Sequence, residues 1–195
     1  MGLDYSYEVF LPARGVAGAL AGLPALAPPR RDVPPLAVTL PGRGRVDLPY
    51  TSWFKSDPVD CSAGGDLRLD LSVLCGPDPA VDAYAAESHL EPVGPGRFDI
   101  GYVYLTVRFA PALHPRHASL QFTAATSRMS RLFEESAGIR EAFTGFTAAV
   151  GGVCCLLDTE SETSRVRWLD GGPADETVPG PRFPGYRELV AAWPG

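Results

Sequence analysis

The run Phe98-Asp99-Ile100-Gly101-Tyr102-Val103-Tyr104-Leu105-Thr106-Val107-Arg108-Phe109 constrains this chain more than any other segment. It is dense in aromatic and β-branched residues, which suit a pleated, half-buried surface and lose rotamer freedom in a helix. Residues Arg97 to Ala110 are therefore expected to form a long strand in the interior of a sheet, at its centre. Leu67 to Leu74 alternates apolar with polar residues, the pattern of an antiparallel strand with one wet face. Asp4 to Leu11 alternates over its first half, turns wholly apolar and stops at Pro12, so it reads as a further strand. Ala118 to Ala125 alternates through Leu120, Phe122 and Ala124 and reads as another strand or as the first turns leading onward.

Two hairpins are legible. Leu36 to Leu40 and Arg45 to Tyr50 flank Pro41-Gly42-Arg43-Gly44, where glycine supplies the positive φ of a tight reversal. Gly152 to Asp158 and Arg165 to Leu169 flank the polar turn Thr159 to Ser164, and Gly171-Gly172-Pro173 is read as the end of that unit. Thr51 to Gly65, with Trp53 in it, lacks periodicity and reads as an irregular loop. The proline-rich stretch Pro28 to Pro35 reads as an extended connection.

Helices fall between these groups. Arg14 to Ala27 carries Val16, Leu20 and Leu23 at helical intervals but is weakened by three glycines and Pro24, so a short, frayed helix is expected. Asp78 is positioned to cap a helix from Pro79 to Ser88, with proline at its first turn. Thr126 or Ser127 caps the best amphipathic segment, in which Met129, Leu132, Phe133, Ile139, Phe143 and Phe146 form one apolar stripe and Gly138 marks the expected bend. Tyr186 to Trp193 closes the chain as a helix.

Strands adjacent as hairpins, with helices between groups of them, predict an α+β fold: a predominantly antiparallel sheet with helices packed on one face. The recurrence of strand, helix and hairpin near residues 4–50 and 97–170 suggests a ferredoxin-like or duplicated sandwich, with no matching residues behind it. At 195 residues, 45% hydrophobic and 21% charged, residues 1–195 are read as a single domain. Such a chain buries about 70% of its unfolded surface and needs no metal or disulfide to fold.

Twenty-three acids against 17 bases give a formal charge of -6, which repels phosphate backbones, and no basic stripe compensates; nucleic acid is not expected as a partner. Lys55 is the single lysine among those bases, as in proteins from GC-rich bacterial genomes. Met1 to Glu8 lacks the basic start and long apolar run of a secretory leader, so a cytoplasmic protein without a membrane association is expected. In that compartment Cys61, Cys75, Cys154 and Cys155, none in CxxC spacing, are expected as free thiols.

Phosphate-loop, dinucleotide, zincin and nucleophile-elbow motifs are all absent from the sequence. Tyr5, Tyr7, Phe98, Tyr102 and Tyr104 read as core aromatics. A thiol nucleophile at Cys154 or Cys155 is disfavoured by its apolar neighbours. His114-Pro115-Arg116-His117, followed by Arg128 near a helix start, is the one chemically dense segment. Pro115 breaks the helical alignment that two histidines need for a metal, so no metal or cofactor is expected there. Cationic side chains beside unpaired backbone N–H groups favour an anion, and His114, Arg116, His117 and Arg128 are the candidate ligand-binding residues. The functional expectation is a non-catalytic binding or protein-interaction domain; the alternative is a small-molecule enzyme or anionic-ligand binder using the same segment.

Overall fold

The computed structural model describes residues 2–27, 34–48, 57–94 and 96–194. Its main sheet is built around β1 (Ser6–Pro12), which pairs antiparallel with β8 (His117–Ala124) on one side and β9 (Cys154–Asp158) on the other. Beyond β8 lie β7 (Arg97–Arg108) and β5 (Leu67–Cys75), with the short β6 (Pro92–Val93) also pairing β7. Beyond β9 lie β10 (Thr163–Leu169) and β11 (Gly172–Pro179). The order is β11-β10-β9-β1-β8-β7-β5, and every pairing in this sheet is antiparallel. A second sheet joins β2 (Leu36–Thr39) to β3 (Arg45–Leu48) as the expected hairpin and to β4 (Val59–Asp60) in parallel. The chain is thus α+β with a predominantly antiparallel sheet. The hairpin of residues 36–48 stands apart in its own small sheet whereas β9 and β10 lie in the main one, so the two sequence halves occupy different structural positions.

The strand at Arg97–Arg108 is internal, as its composition demands, but the centre belongs to β1. The reason is burial. Val9, Phe10 and Leu11 are all sealed from solvent, so β1 needs apolar residues on both faces, whereas β7 keeps one wet face on which Tyr102 and Tyr104 are exposed at 38% and 47%. Those two tyrosines are therefore not core, in contrast to Tyr7.

Successive side chains of β1 point to opposite faces and anchor two apolar clusters. Tyr7, Val9 and Leu11 belong to the larger one, with residues of α1 (Val16–Gly22), α2 (Pro79–Ser88), α3 (Ser127–Glu135) and α4 (Ala137–Ala149). Within it Tyr7 stacks on Phe143 at 4.4 Å between ring centres, and its hydroxyl donates to the Phe133 carbonyl at 3.1 Å. Phe10 points the other way, into a smaller cluster with Cys154, Leu156, Val166, Tyr186 and Trp193. That cluster seats α5 (Pro184–Ala191), so four helices share one face and the last adds a layer on the other.

The long amphipathic segment is not one helix. It breaks at Ser136, whose ψ of 122° is extended, rather than at Gly138. The Ser136 hydroxyl accepts from Ile139 N–H at 3.0 Å as the cap of α4 and donates to Asp78 Oδ2 at 2.6 Å. Asp78 also caps α2 by accepting from Val81 N–H at 2.8 Å, as its sequence position indicates, and it accepts from Gly138 N–H at 2.7 Å. One carboxylate therefore serves the starts of two helices. A Cβ on Gly138 would lie 3.2 Å from Asp78 Oδ2 and 3.3 Å from the Gly76 carbonyl, so glycine is needed there for close approach. Burial raises the Asp78 pKa, but the donated hydrogen bonds outweigh it and hold the carboxyl below its ordinary value.

The sheet also continues past Gly171, where the sequence pattern suggests an end. Asp170 and Gly171, at φ 48° and 87°, form the two-residue reversal that turns β10 into β11, and Asp-Gly is a favoured hairpin pair.

Two outcomes follow. Asp78→Ala removes the shared acceptor and is expected to cost about 2–3 kcal/mol in urea unfolding, with Asp78→Asn recovering part of the loss. All four cysteines are free and buried, and burial pushes the Cys75 and Cys155 thiols up to about 12, so a thiol reagent should find no reactive cysteine in the native protein and four after unfolding without reductant.

Candidate functional site

The chain leaves β7 at Arg108 and enters β8 at His117, and the intervening loop is held by two successive turns. His114 N–H donates to the Pro111 carbonyl, and His117 N–H to the His114 carbonyl, each at 3.0 Å. This geometry drives both imidazoles inward. His114 is only 6% exposed; its ring meets Phe10 edge-on at 4.8 Å and lies 5.9 Å from the Trp193 ring. His117, equally buried, contacts Trp193 at 5.4 Å. Its Nε2 lies 2.9 Å from the Pro194 carbonyl, which can only accept, so that nitrogen carries the proton and ties the chain end to β8.

The two histidines differ in hydrogen bonding. His114 Nδ1 is buried without a partner among the described residues, as is Trp193 Nε1. Burial lowers the His114 pKa to about 4, outweighing backbone polar groups of His114 and His117 that act the other way, with Arg108 reinforcing the burial, so the ring is neutral near pH 7. Beside it opens a cleft of about 210 Å³ between the loop and α5, bordered by His114, Arg116, His117, Arg187 and Val190. Arg116 and Arg187 are exposed on its rim. No salt bridge among the described residues includes either of them.

Of the four residues expected from the sequence, three meet at this cleft and Arg128 does not. Strand β8 carries the chain about 24 Å away, at about 3.4 Å per residue, before Arg128 is reached on α3. There Arg128 pairs with Glu87 and lies 4.9 Å above the Tyr84 ring. Nearness in sequence fails because the intervening residues are fully extended. Arg187 takes its place at the cleft from a helix that sequence spacing could not dock, and nothing in the sequence pairs residue 187 with residue 116.

Among the alternatives, burial pushes the Cys154 thiol far above its ordinary value, the reverse of what a thiol nucleophile needs. Among the described residues no group of three His, Cys, Asp or Glu side chains could hold a metal ion. Trp53, in the loop read as irregular, lies outside the described residues. No described helix is long and apolar enough to cross a membrane. No protein-family model, curated protein or solved structure matches this chain.

The buried histidine makes stability pH-dependent. Its folded pKa lies below the ordinary value, so the unfolded chain binds more protons between pH 6.5 and about 4. The His114 contribution is fully present above pH 6.5 and is lost as pH falls toward 4, by an amount on the order of 3 kcal/mol. Burial raises the Glu8 carboxyl and works in the opposite sense, so the informative quantity is a difference between proteins. Urea midpoints measured from pH 7.5 to 4.5 should fall less steeply for His114→Gln than for the wild type.

Proposed function

We propose that the protein is a non-catalytic binding domain that holds an anionic group, a carboxylate or phosphate, in the cleft between α5 and the loop before β8. The observation that carries this reading is the convergence of Arg116 and Arg187, from segments about seventy residues apart, on a wall containing a buried imidazole with an unpaired nitrogen. In a chain of net charge -6, two arginines on one rim are a local exception that attracts anions. Guanidinium groups match carboxylate and phosphate oxygens in bidentate geometry. The volume of about 210 Å³ is below the roughly 300–1,000 Å³ of pockets for drug-sized ligands, so it suits one anionic group rather than a whole cofactor. That group belongs to a free small molecule or is presented by a protein partner. The four free thiols suit a reducing cytoplasm, and near-exclusive use of arginine suits a GC-rich bacterial source.

Calorimetric titration with sulfate and with trifluoroacetate tests the cleft. The double variant Arg116→Ala/Arg187→Ala should bind at least about tenfold more weakly, with a smaller salt dependence and an unchanged Tm, because charge-assisted hydrogen bonds contribute about 1.5–3 kcal/mol each and both side chains are exposed. Arg128→Ala should bind as the wild type does. Capture from a lysate, analysed by mass spectrometry, separates the two sources: a stoichiometric protein lost with the double variant, or a copurified small anion lost with it. Equal affinity in wild type and double variant would remove the cleft as the site.

A further inference from the structure

Resting on the anion-binding reading, we infer that His114 takes up a proton when the anion enters, so that capture strengthens as the medium becomes more acidic. The geometry explains why the empty site resists that proton. The ring packs against Phe10 and Trp193, which also touch each other, its Nδ1 makes no hydrogen bond among the described residues, and none of the salt bridges among those residues includes it. The groups around it offer little counter-charge. His117 on β8 and Arg108 on β7 oppose a second positive charge, and Arg116 and Arg187 add to that opposition from the cleft rim. Tyr186 on α5 and Cys154 on β9 are buried neutral groups of the same cluster. Glu8 on β1, two residues from Phe10, lies 3.5 Å from Arg108 and is itself raised toward its neutral form by burial.

An anion bound between Arg116 and Arg187 supplies the missing charge next to a ring that forms part of the same wall. The proton comes from bulk water, both ring nitrogens then carry N–H, and the charge of the imidazolium is balanced by the anion beside it. Because the bound state holds more protons than the free state, linkage requires affinity to rise as pH falls below about 6.5, by at most tenfold per pH unit. The pair of arginines alone would bind with no such dependence, since guanidinium does not titrate in this range.

The test uses sodium sulfate, which does not titrate between pH 5.5 and 7.5, and the full chain. Calorimetry at both pH values in two buffers of different ionisation enthalpy reads the number of protons taken up. The expected result is uptake approaching one proton per sulfate at pH 5.5 and little at pH 7.5, with affinity about threefold or more higher at pH 5.5. His114→Gln should lose the uptake and the rise in affinity at pH 5.5, whereas Arg128→Ala, away from the cleft, should keep both. Imidazole NMR of the wild type gives the same answer without a variant: the His114 ring should shift to its protonated form on addition of sulfate at pH 5.5. Sulfate binding with no uptake and no His114 shift would overturn the proton coupling and leave the anion site standing. Uptake that survives in His114→Gln would also overturn it. Failure of the wild type to bind sulfate at either pH would overturn the site and the coupling together.

Discussion

Strand β1 is sealed from solvent on both faces over Val9, Phe10 and Leu11, and the architecture depends on that double burial. Val9 and Leu11 sit under the layer of four helices while Phe10 between them supports the fifth. Over these three residues there is no solvent side to which a register slip could send a side chain, so pairing with β8 and β9 is fixed by the contents of both layers. The aromatic packing of Tyr7 against Phe133 and Phe143 on one face, and of Phe10 against His114 and Trp193 on the other, makes the same seven residues the link between two otherwise separate clusters.

The helical layer has a second fixed point in Asp78. Its carboxylate sits where backbone N–H groups at the starts of α2 and α4 lack intrahelical partners, and it satisfies donors from both. That sharing explains why the long amphipathic segment breaks at Ser136. A continuous helix would carry the Ser136 hydroxyl and Gly138 N–H past the acid, whereas the break turns both toward it and starts a new helix under a new cap.

The cleft is a consequence of the second layer rather than of any motif. Because Phe10 and Trp193 seat the C-terminal helix, Arg187 is brought over the loop that carries His114 and Arg116. The same aromatic packing removes water from the imidazole and keeps it neutral, so the feature that builds the cleft also sets its chemistry. The proposed function rests on this combination of a neutral, buried histidine and two exposed arginines around one cleft.

The α+β class, the antiparallel pairing, the cap at Asp78 and the free thiols were legible along the chain, because each rests on local chemistry: residue periodicity, a proline after an acid, a spacing without metal or redox pattern. The extension into β11 was equally local and was legible in Asp170-Gly171, a reversal that continues a sheet as readily as it ends one. Tertiary structure alone decided the rest. That β1 rather than β7 occupies the centre depends on what covers each face, and Tyr102 and Tyr104 have the same composition whether buried or wet. The exchange of Arg128 for Arg187 at the cleft has the same origin: an extended strand separates residues eleven apart, while helix docking joins residues about seventy apart. Local pattern specifies how a segment folds, but the distance between segments is set by the packing of apolar faces, which no spacing along the chain encodes.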